Sequence, residues 1–496
     1  MNLKSGEKGG GMCQIRLPPF TPINLLTVVL AAILLMRVYT LYSTIDDQHR
    51  HIDEGFWLHG AYFYNLFFIE RDFSNDDWNN VISYDVPPVG RYMLGFTLDV
   101  ANNKIINSSG GMMSWERRVT DGIFRERLSK LVDEHASPRD ERLLDYSESI
   151  LQQLRNEKTV KLELGDYLAG RRAVFLFAVL SASLMAILCA KYLGGPFTGL
   201  LAALILLGNG MTIPVFQQVF PDSICCFFVL LALLTLIHLS AVLGDAINRK
   251  IVFLSLLEGL LLSLALGTRF TATYMAVTVF VAFAVGILLD ALKSGGAKKV
   301  FLTRSVIARL IALAIISAST FIFFVLLNPF LYPNPIGNTL RMIDFRLTVM
   351  EIQSRVQTPA INTLGERLGS IYGNGVLLGY RMSSPLVEAV YILALLVGLR
   401  VLTGKAIEEL KGGRLGPHTI VLLWAVTTFI VVGSKINMRW RRYFIPFVMC
   451  TAVVLASGLE TMLMSLGLGG AADPRHVTSP STQRSLACPP GRRAKL

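Results

Sequence analysis

The sequence has few charged residues for its length. Asp, Glu, Lys and Arg make up 17% of its 496 residues, whereas hydrophobic residues make up 52%. Soluble globular domains are about one-quarter charged, and the mean hydropathy here is +0.51. This composition excludes an ordinary soluble domain and predicts a protein that crosses a membrane several times.

Cysteine is scarce, and none of the six cysteines falls within the two long polar segments 43–170 and 329–385. A disulfide framework needs paired cysteines outside the membrane, and a thiolate zinc site needs closely spaced ones. The distribution argues against both.

A nucleic-acid motif is also missing, although the formal net charge is +12 and the isoelectric point is near 9.4. The basic residues are spread among loops, as they are in membrane proteins whose cytoplasmic loops are rich in Lys and Arg. We therefore expect a bilayer and no nucleic acid as a partner.

Long apolar runs are what the chain has instead. A run of about 17 to 25 residues can cross the hydrocarbon core, and the segments around Gly208 and Arg269 equally suit a kinked or re-entrant path. We predict an all-α polytopic membrane protein with about ten transmembrane helices. The candidates are 22–42, 172–192, 197–213, 222–243, 251–268, 271–292, 306–328, 386–402, 418–433 and 443–465.

The Lys and Arg residues of the short loops predict the orientation, because they accumulate on the cytoplasmic side. The N-terminus is then cytoplasmic, and the segment after the first helix lies outside. The predicted organisation is a cytoplasmic tail 1–21, a first transmembrane helix 22–42, an extracytoplasmic loop 43–170 with amphipathic helices, a transmembrane bundle 171–467 with a further extracytoplasmic loop 329–385, and a disordered cytoplasmic tail 468–496.

One predicted outside loop breaks this charge rule, because it contains Lys435, Arg439, Arg441 and Arg442. One interpretation is a miscounted helix earlier in the chain. The other is a cationic lining for a phosphate group. Both stay open at this point.

Two adjacent acids, Asp53 and Glu54, follow the first apolar run by about ten residues, and Phe56 and Trp57 come directly after them. Carboxylates accept hydrogen bonds from hydroxyl groups and can take a proton. Aromatic faces pack on sugar rings. The alternative is a solvated loop in which acids are ordinary.

A second motif runs from Asp85 to Tyr92, as Asp-Val-Pro-Pro-Val-Gly-Arg-Tyr. The two prolines fix the backbone, Gly90 permits a close approach, and Arg91 can then hold a phosphate at the membrane surface. Alternatively, the prolines belong to a common loop element and Arg91 only extends toward the interface.

His49 and His51 stand close to Asp53, and imidazole and carboxylate ligands at short spacing suit zinc or manganese. Interfacial histidines in a polar loop are the other interpretation. No cofactor is assigned, and a divalent metal on His49 and His51 is left as an open alternative.

Five segments together resemble one family. They are the Asp53-Glu54 pair, 85–92, Gly170-Arg171-Arg172, 264–269 (Leu-Ala-Leu-Gly-Thr-Arg) and 328–332 (Asn-Pro-Phe-Leu-Tyr), in this order. The chain resembles, over about 22–465, the polyprenyl-phosphate-sugar-dependent glycosyltransferases of the GT-C class. It looks most like the family 39 protein mannosyltransferases and the related bacterial aminoarabinose transferases.

The resemblance implies a GT-C fold and transfer of a sugar, a hexose such as mannose, from a polyprenyl-phosphate donor to a hydroxyl of a protein, lipid or glycan. The reaction would invert the anomeric carbon on the extracytoplasmic face, in the inner membrane of a bacterium or the endoplasmic reticulum of a eukaryote. The implied residues are Asp53 and Glu54 for catalysis, Arg91, Arg172, Arg269 and Arg439 for the donor phosphate, and Asp85, Trp57 and Tyr92 for the substrate.

The chain departs from the family pattern in three places. Val86 stands where the family commonly has His, and Arg91 where it often has Lys. The insertion at about 112–165 is long, and the loop 329–385 is too short for the β-trefoil repeats of eukaryotic relatives. The identity of the acceptor is therefore left open.

Two other classes of function compete with an enzyme. A transporter predicts repeated halves and several acids near the middle of the bilayer, whereas Glu258 is nearly alone there and the acids collect outside. A noncatalytic scaffold would share the helices without using the acids. The position of Asp53 and Glu54 favours the glycosyltransferase.

Overall fold

The computed structural model describes residues 22–135, 137–244, 247–293, 303–358, 360–379 and 384–468. The predicted tail 1–21 and all but the first residue of the predicted tail 468–496 lie outside the described residues. Within these ranges the chain forms helices joined by loops, and the extended pairing they contain is an isolated antiparallel bridge between Ala360 and Met438. The predicted all-α architecture is confirmed.

Nine helices in the described part of the chain are long and apolar enough to cross a membrane, which makes this an integral, multi-pass membrane protein. We call them the first to ninth spans. In chain order they are Pro22–Ser43, Leu164–Leu193, Asp222–Val242, Arg249–Thr268, Phe270–Lys293, Arg304–Leu326, Pro385–Lys411, Pro417–Lys435 and Arg441–Ser465.

The predicted helix 197–213, which is not among these nine spans, is broken. Its first part, Pro196–Gly208, has 13 residues and is about 20 Å long, shorter than the roughly 30 Å hydrocarbon core. Asn209 stops it, because its side-chain amide donates to the carbonyl of Ile205 and its oxygen accepts from the amide of Met211. The helix Thr212–Gln217 follows after this bend.

The broken helix nevertheless completes a crossing. Asp53, which follows the first span, binds Arg442, which lies at the start of the ninth, so both segments are at one end of the bundle. Between Asp53 and Arg442 the chain passes through seven spans, and seven crossings would leave the two residues at opposite ends of the bundle. The short helix must therefore supply one more crossing between them. Its position agrees, because the Gln217 side chain donates to the carbonyl of Leu41 at the end of the first span.

The remaining helices lie between spans at the end of the bundle that carries Asp53. Between the first and second spans they are Ile52–His59, Tyr62–Tyr64, Val81–Asp85, Val89–Asn102, Gly110–Val119, Glu126–His135 and Pro138–Gln153, and between the sixth and seventh they are Pro335–Val356 and Leu364–Ser370. We call these helices and their connecting loops the cap.

The two parts of the cap pack on each other. The helix Pro138–Gln153 begins at the Ser-Pro signal that favours a helix start, and its Tyr146 ring lies 6.0 Å from the Phe345 ring of the helix Pro335–Val356. Asp140 is 3.8 Å from Arg355 of the same helix. The cap is therefore one layer built from two distant stretches of chain.

Small residues let the spans approach closely. A methyl group on Gly398 of the seventh span would overlap the carbonyl of Val454 in the ninth, and one on Gly458 would overlap the carbonyl of Ala394. Close backbone contact of this kind stabilises helix pairs in lipid, where apolar side chains gain little by leaving their surroundings. The first span differs, since Leu41 is its buried residue and its other residues are half-buried or exposed.

Candidate active site

A cavity of about 620 Å³ lies between the cap and the bundle. We call it the candidate cavity. Its volume is in the range of small-molecule sites, about 300 to 1,000 Å³. Its wall is formed by the helix that carries Asp53, by Asp85, by the helix Pro335–Val356, by the turn around Phe220 and by residues 439–442.

Asp53 faces this cavity because of the way its helix begins. His51 caps the helix, with its Nδ1 accepting from the Asp53 amide at 3.1 Å, and the Glu54 carboxylate accepts from the His51 amide at 2.7 Å. Asp53 is thereby placed in the first turn, and its side chain is 15% exposed. Its Oδ2 accepts a hydrogen bond of 2.9 Å from Arg442 Nη1.

Glu54 lies outside the candidate cavity and is fully buried. Its carboxylate accepts hydrogen bonds from Arg171 Nε and Nη2 at 2.8 and 2.9 Å and from the Val219 amide at 3.1 Å. Arg171 also donates to the carbonyls of Ile45 and Gln48 in the turn after the first span. We call this group the clamp, because it fixes the turn from which the Asp53 helix starts.

Three arginines of the cavity wall, Arg442, Arg269 and Arg346, are paired with carboxylates. Arg269 Nη2 donates to Asp222 Oδ2 at 2.6 Å, and the Arg269 guanidinium lies 5.2 Å from the centre of the Trp57 ring. Arg442 itself lies over the Trp440 ring at 4.7 Å. Aromatic faces and carboxylates together hold the guanidinium groups in place.

Arg346 is a wall residue that the sequence analysis missed. Its Nη1 donates to Asp85 Oδ1 at 2.9 Å, and its Nη2 donates to the Tyr443 hydroxyl at 3.4 Å. Burial alone lowers the pKa of Arg346, but Asp85 and Tyr443 raise it, so its pKa lies above the ordinary value. It lies in an ordinary helical pattern, and nothing in the sequence distinguishes it from a surface arginine.

Arg439 and Arg441 line the same cavity but are exposed. Within the part of the chain that the structure describes, neither has a carboxylate within ion-pair distance. The pKa of Glu366 is lowered mainly by hydrogen bonds from the amides of Asn362 and Thr363, and the charge of Arg439 adds a smaller effect. The cavity therefore has two kinds of cation, paired ones inside and open ones at its mouth.

Arg91 lies behind the cavity wall. It is fully buried and donates to the Ile82 carbonyl at 3.1 Å, while its Nε and Nη2 have no partner among the described residues. The Phe63 and Phe56 ring centres are 5.1 and 5.2 Å from its guanidinium. Burial lowers the pKa of Arg91 to about 10. It supports the aromatic wall and does not line the cavity.

Arg172 and Tyr92 also lie away from the candidate cavity. The Arg172 side chain is 48% exposed and lies 3.4 Å from Asp46, which is itself exposed. Tyr92 is buried and donates its hydroxyl to the Leu327 carbonyl at 2.9 Å. The structure thus brings five of the nine predicted site residues to the cavity, namely Asp53, Trp57, Asp85, Arg269 and Arg439.

Burial along the second span separates Arg171 from Arg172. Arg171 shares a face with the buried Val174 and Ala178, whereas Leu176, four residues after Arg172, is exposed. Residues three or four apart share one face of a helix. Because the residues that follow both arginines at this spacing are apolar, the sequence alone contains no signal that distinguishes the two.

The structure does not bring the side chains of His49, His51 and Asp53 together as a metal site. His51 lines the cavity, but its Nδ1 is 3.8 Å from Asp53 Oδ2 and accepts the Asp53 amide. His49 contributes its backbone carbonyl, which accepts from Arg171 and Gln218. In the described ranges no group of three or more His, Cys, Asp or Glu side chains is arranged to hold a metal. The Asp53 Oδ2 instead accepts a hydrogen bond from the Arg442 guanidinium.

Glu116 adds a titratable group beside the site. It is buried in the helix Gly110–Val119, next to the wall residue Trp115. Burial raises the pKa of Glu116 to about 8, the charges of Asp85 and Asp53 act in the same direction, and Arg91 and Arg346 oppose them. The negative charges of Asp85 and Asp53 therefore add to burial in favouring the protonated form of Glu116.

The arrangement combines a partly exposed carboxylate with fixed cations in the wall of one cavity. The carboxylate can accept a proton from a hydroxyl group. The cations can stabilise negative charge that develops on a leaving group. A ring in the cavity would meet aromatic and carboxylate side chains together.

No protein-family model matches this chain, and no curated protein does. Among solved structures, the chain is similar to the Archaeoglobus fulgidus oligosaccharyltransferase in its apo form, at 12% identity and a TM-score of 0.42, over 88% of this chain and 51% of that one. The archaeal oligosaccharyltransferase AglB from A. fulgidus, in complex with an inhibitory peptide and a dolichol-phosphate, aligns at 12% identity, a TM-score of 0.40 and the same coverage.

A complex of the A. fulgidus enzyme with Zn and sulfate aligns at 13% identity and a TM-score of 0.37, over 77% of this chain and 41% of that one. This chain spans about half the length of the first two structures. Because all three TM-scores are below 0.5, the case for an activity rests on the geometry of the candidate cavity.

Proposed function

We propose that this protein is an inverting glycosyltransferase of the GT-C class that moves a sugar from a polyprenyl-phosphate donor to an acceptor hydroxyl. The observation that carries the proposal is Asp53, a partly exposed carboxylate in a cavity of about 620 Å³ that also contains Arg442 and Arg269. The motif order that resembles the family 39 transferases supports it, and a hexose such as mannose is the sugar we propose.

Asp53 is the proposed general base. The acceptor hydroxyl gives its proton to the Asp53 carboxylate as its oxygen forms a bond to the anomeric carbon of the sugar. The bond between that carbon and the phosphate oxygen breaks at the same time, and the polyprenyl phosphate leaves with the electron pair. Attack from the face opposite the leaving group inverts the anomeric centre.

Arg442 is the proposed cation for the leaving phosphate, together with Arg269 and Arg439. Arg442 donates to Asp53 through one nitrogen, while its buried Nε has no partner among the described residues. A donor phosphate can therefore engage Arg442 and compete with Asp53 for it. Loss of this bond leaves Asp53 Oδ2 free to accept a hydrogen bond from the acceptor hydroxyl when the donor arrives.

Asp85 and Trp57 are proposed to contact the sugar, because both line the candidate cavity. The Trp57 indole offers an apolar face and Asp85 accepts hydroxyl hydrogen bonds. Glu54, Arg91 and Tyr92 act through other groups, as positioning residues for the helices that form the wall. The cap would be extracytoplasmic, as the charge of the short loops predicts.

The test is sugar transfer by the purified full-length protein in lipid nanodiscs, with a labelled polyprenyl-phosphate hexose and a panel of hydroxyl acceptors. We expect Asp53→Asn to lower kcat by about a hundred- to ten-thousandfold, with donor binding retained. Asp46→Asn is the matched control, since this acid is exposed, lies seven residues earlier and faces away from the candidate cavity. It should transfer at the wild-type rate.

Full activity of Asp53→Asn would remove the assignment of the base. A protein that transfers no sugar but moves a lipid-linked or small polar substrate across liposome membranes would replace the enzyme with the transporter. Donor hydrolysis without any acceptor would still support the proposal, because water then takes the place of the hydroxyl.

A further inference from the structure

A second cavity, of about 350 Å³, lies between the first span, the short helix Pro196–Gly208 and the seventh and ninth spans. It shares no lining residue with the candidate cavity. Its wall includes Leu204, Ile205, Leu378 and Leu455, which are apolar, and Arg37. We call it the side cavity.

Arg37 is the charged residue of the first span, whose other side chains are uncharged. It lies six residues before the end of that span at Ser43, which places it about 9 Å along the helix from the cap end. Arginine inside a membrane span is unfavourable unless it has a partner or reaches the headgroups. The wall of the side cavity contains no Asp or Glu among its described residues.

The other polar groups of the side cavity do not substitute for an anion. The Asn209 side chain is used by the bend, where it donates to Ile205 and accepts from Met211 and Thr212. The Tyr391 hydroxyl donates to the Val376 carbonyl at 2.6 Å. Among the residues that the structure describes, the cavity therefore offers a ligand the Arg37 guanidinium and a surrounding of apolar side chains.

We propose that the side cavity binds the headgroup of an anionic glycerophospholipid, with Arg37 holding its phosphate. A guanidinium matches two phosphate oxygens with parallel hydrogen bonds, and the apolar wall fits the adjoining acyl chains. The first span faces lipid along most of its length, so bilayer phospholipid is present at far higher concentration than any polyprenyl phosphate, and occupancy follows concentration.

Lipid bound in the side cavity affects the candidate cavity through the chain segment 208–215, which contacts both cavities. Gly208 and Asn209 line the side cavity, and Pro214 and Val215, which follow in the chain, line the candidate cavity. A bound lipid therefore stabilises the bend that positions this part of the catalytic wall. The inference concerns lipid binding and does not depend on the proposed transfer reaction.

The experiment is thermal unfolding of the full-length protein in a neutral detergent, titrated with phosphatidylglycerol or, separately, with phosphatidylcholine. We expect phosphatidylglycerol to raise the wild-type Tm more than phosphatidylcholine does, and Arg37→Gln to abolish the difference. Arg118→Gln, which removes an exposed arginine of the cap, should keep the full difference. Arg37→Lys, which keeps the charge, should keep part of it.

Three results would overturn the proposal. One is a wild-type Tm that responds equally to both lipids, which requires no variant. Another is an undiminished phosphatidylglycerol response in Arg37→Gln. The third is an Arg37-dependent response to a polyprenyl phosphate and none to phosphatidylglycerol, which would assign the side cavity to the donor lipid. Sugar transfer is not part of the measurement, so its absence leaves this test intact.

Discussion

Asp53 and Glu54 are adjacent in the chain, but their carboxylates lie in two different regions. The Asp53 side chain is 15% exposed in the wall of the candidate cavity and accepts one bond from Arg442. The Glu54 side chain is 0% exposed and belongs to the clamp with Arg171. A carboxylate with open hydrogen-bonding capacity can exchange partners and protons, whereas a saturated one holds structure. Two neighbouring acids have thus taken separate tasks.

The largest expected effect on stability is in the clamp. Glu54→Gln leaves the buried Arg171 charge without its counter-ion, which costs about 3 to 5 kcal/mol of folding free energy. We expect a large fall in the Tm of the purified protein, with activity lost through unfolding. The paired change Glu54→Leu with Arg171→Leu removes both charges and should unfold at a higher temperature than Glu54→Gln alone. A double variant that unfolds at a lower temperature than Glu54→Gln would contradict the structural role of the clamp.

Substitutions in the cavity wall should lower kcat and leave the Tm nearly unchanged. Arg442→Gln removes a cation from the site of the leaving phosphate, and loss of one such donor lowers kcat by about a hundred- to a thousandfold. We expect Arg442→Lys to recover part of the rate, because it restores the charge without the fork of the guanidinium. The measurement is kcat at saturating donor, with Tm followed in parallel. A fall in Tm comparable to that of Glu54→Gln would place Arg442 in the scaffold.

The pH dependence of folding stability gives a further test, through the buried carboxyl group of Glu116. Because its pKa is about 8 in the folded protein, above the ordinary 4.5, the folded state binds a proton more tightly than the unfolded state does. Its stabilising contribution is complete below about pH 4.5 and is lost as the pH rises through about 8, with a slope of at most about 1.4 kcal/mol per pH unit.

We therefore expect the wild-type Tm to decline over this pH window and Glu116→Gln to show a flatter profile. The groups that set the pKa are Asp85, Asp53, Arg91 and Arg346, and none of them is altered in this variant. Parallel profiles for the two proteins would show that Glu116 does not bind the proton.

The smallest expected effect is at Arg172, the neighbour of the clamp arginine. Its pair with Asp46 is exposed on both sides, and exposed ion pairs contribute about 0 to 1 kcal/mol. Arg172→Gln should therefore change the Tm by a degree or two at most, about 0.5 kcal/mol or less, and leave kcat unchanged. A large loss of transfer activity in this variant would restore Arg172 to the donor site that the family resemblance implied.

Features set by local pattern were accessible from the sequence. The apolar runs predicted the spans, and Ser137-Pro138 at the start of the helix Pro138–Gln153 is a local signal for a helix start. The bend near Gly208 was also foreseeable, since that run was short and interrupted. Of the charges at 435–442 that broke the orientation rule, Arg439, Arg441 and Arg442 line the cavity that contains Asp53, and their interpretation as a lining for phosphate stays a prediction.

Features set by packing were not accessible. Nothing local distinguishes Arg346 from other helix arginines, yet it pairs with Asp85. Arg91 was expected beside a phosphate and lies instead among aromatic rings, because the rings that follow Asp53 and Glu54 fold over it. Burial depends on which helix faces meet, and that depends on contacts between residues far apart in the chain.

The sequence by itself determined a helical, multi-span protein, the position of two adjacent carboxylates just beyond the first span and the presence of a basic cluster that breaks the orientation rule. Composition and helical periodicity act over a few turns, so one chain segment suffices to show them. The tertiary structure alone decided which acid faces a cavity and which cation it meets. Asp53 and Arg442 are 389 residues apart, and only the closure of the bundle brings the two charges within 2.9 Å.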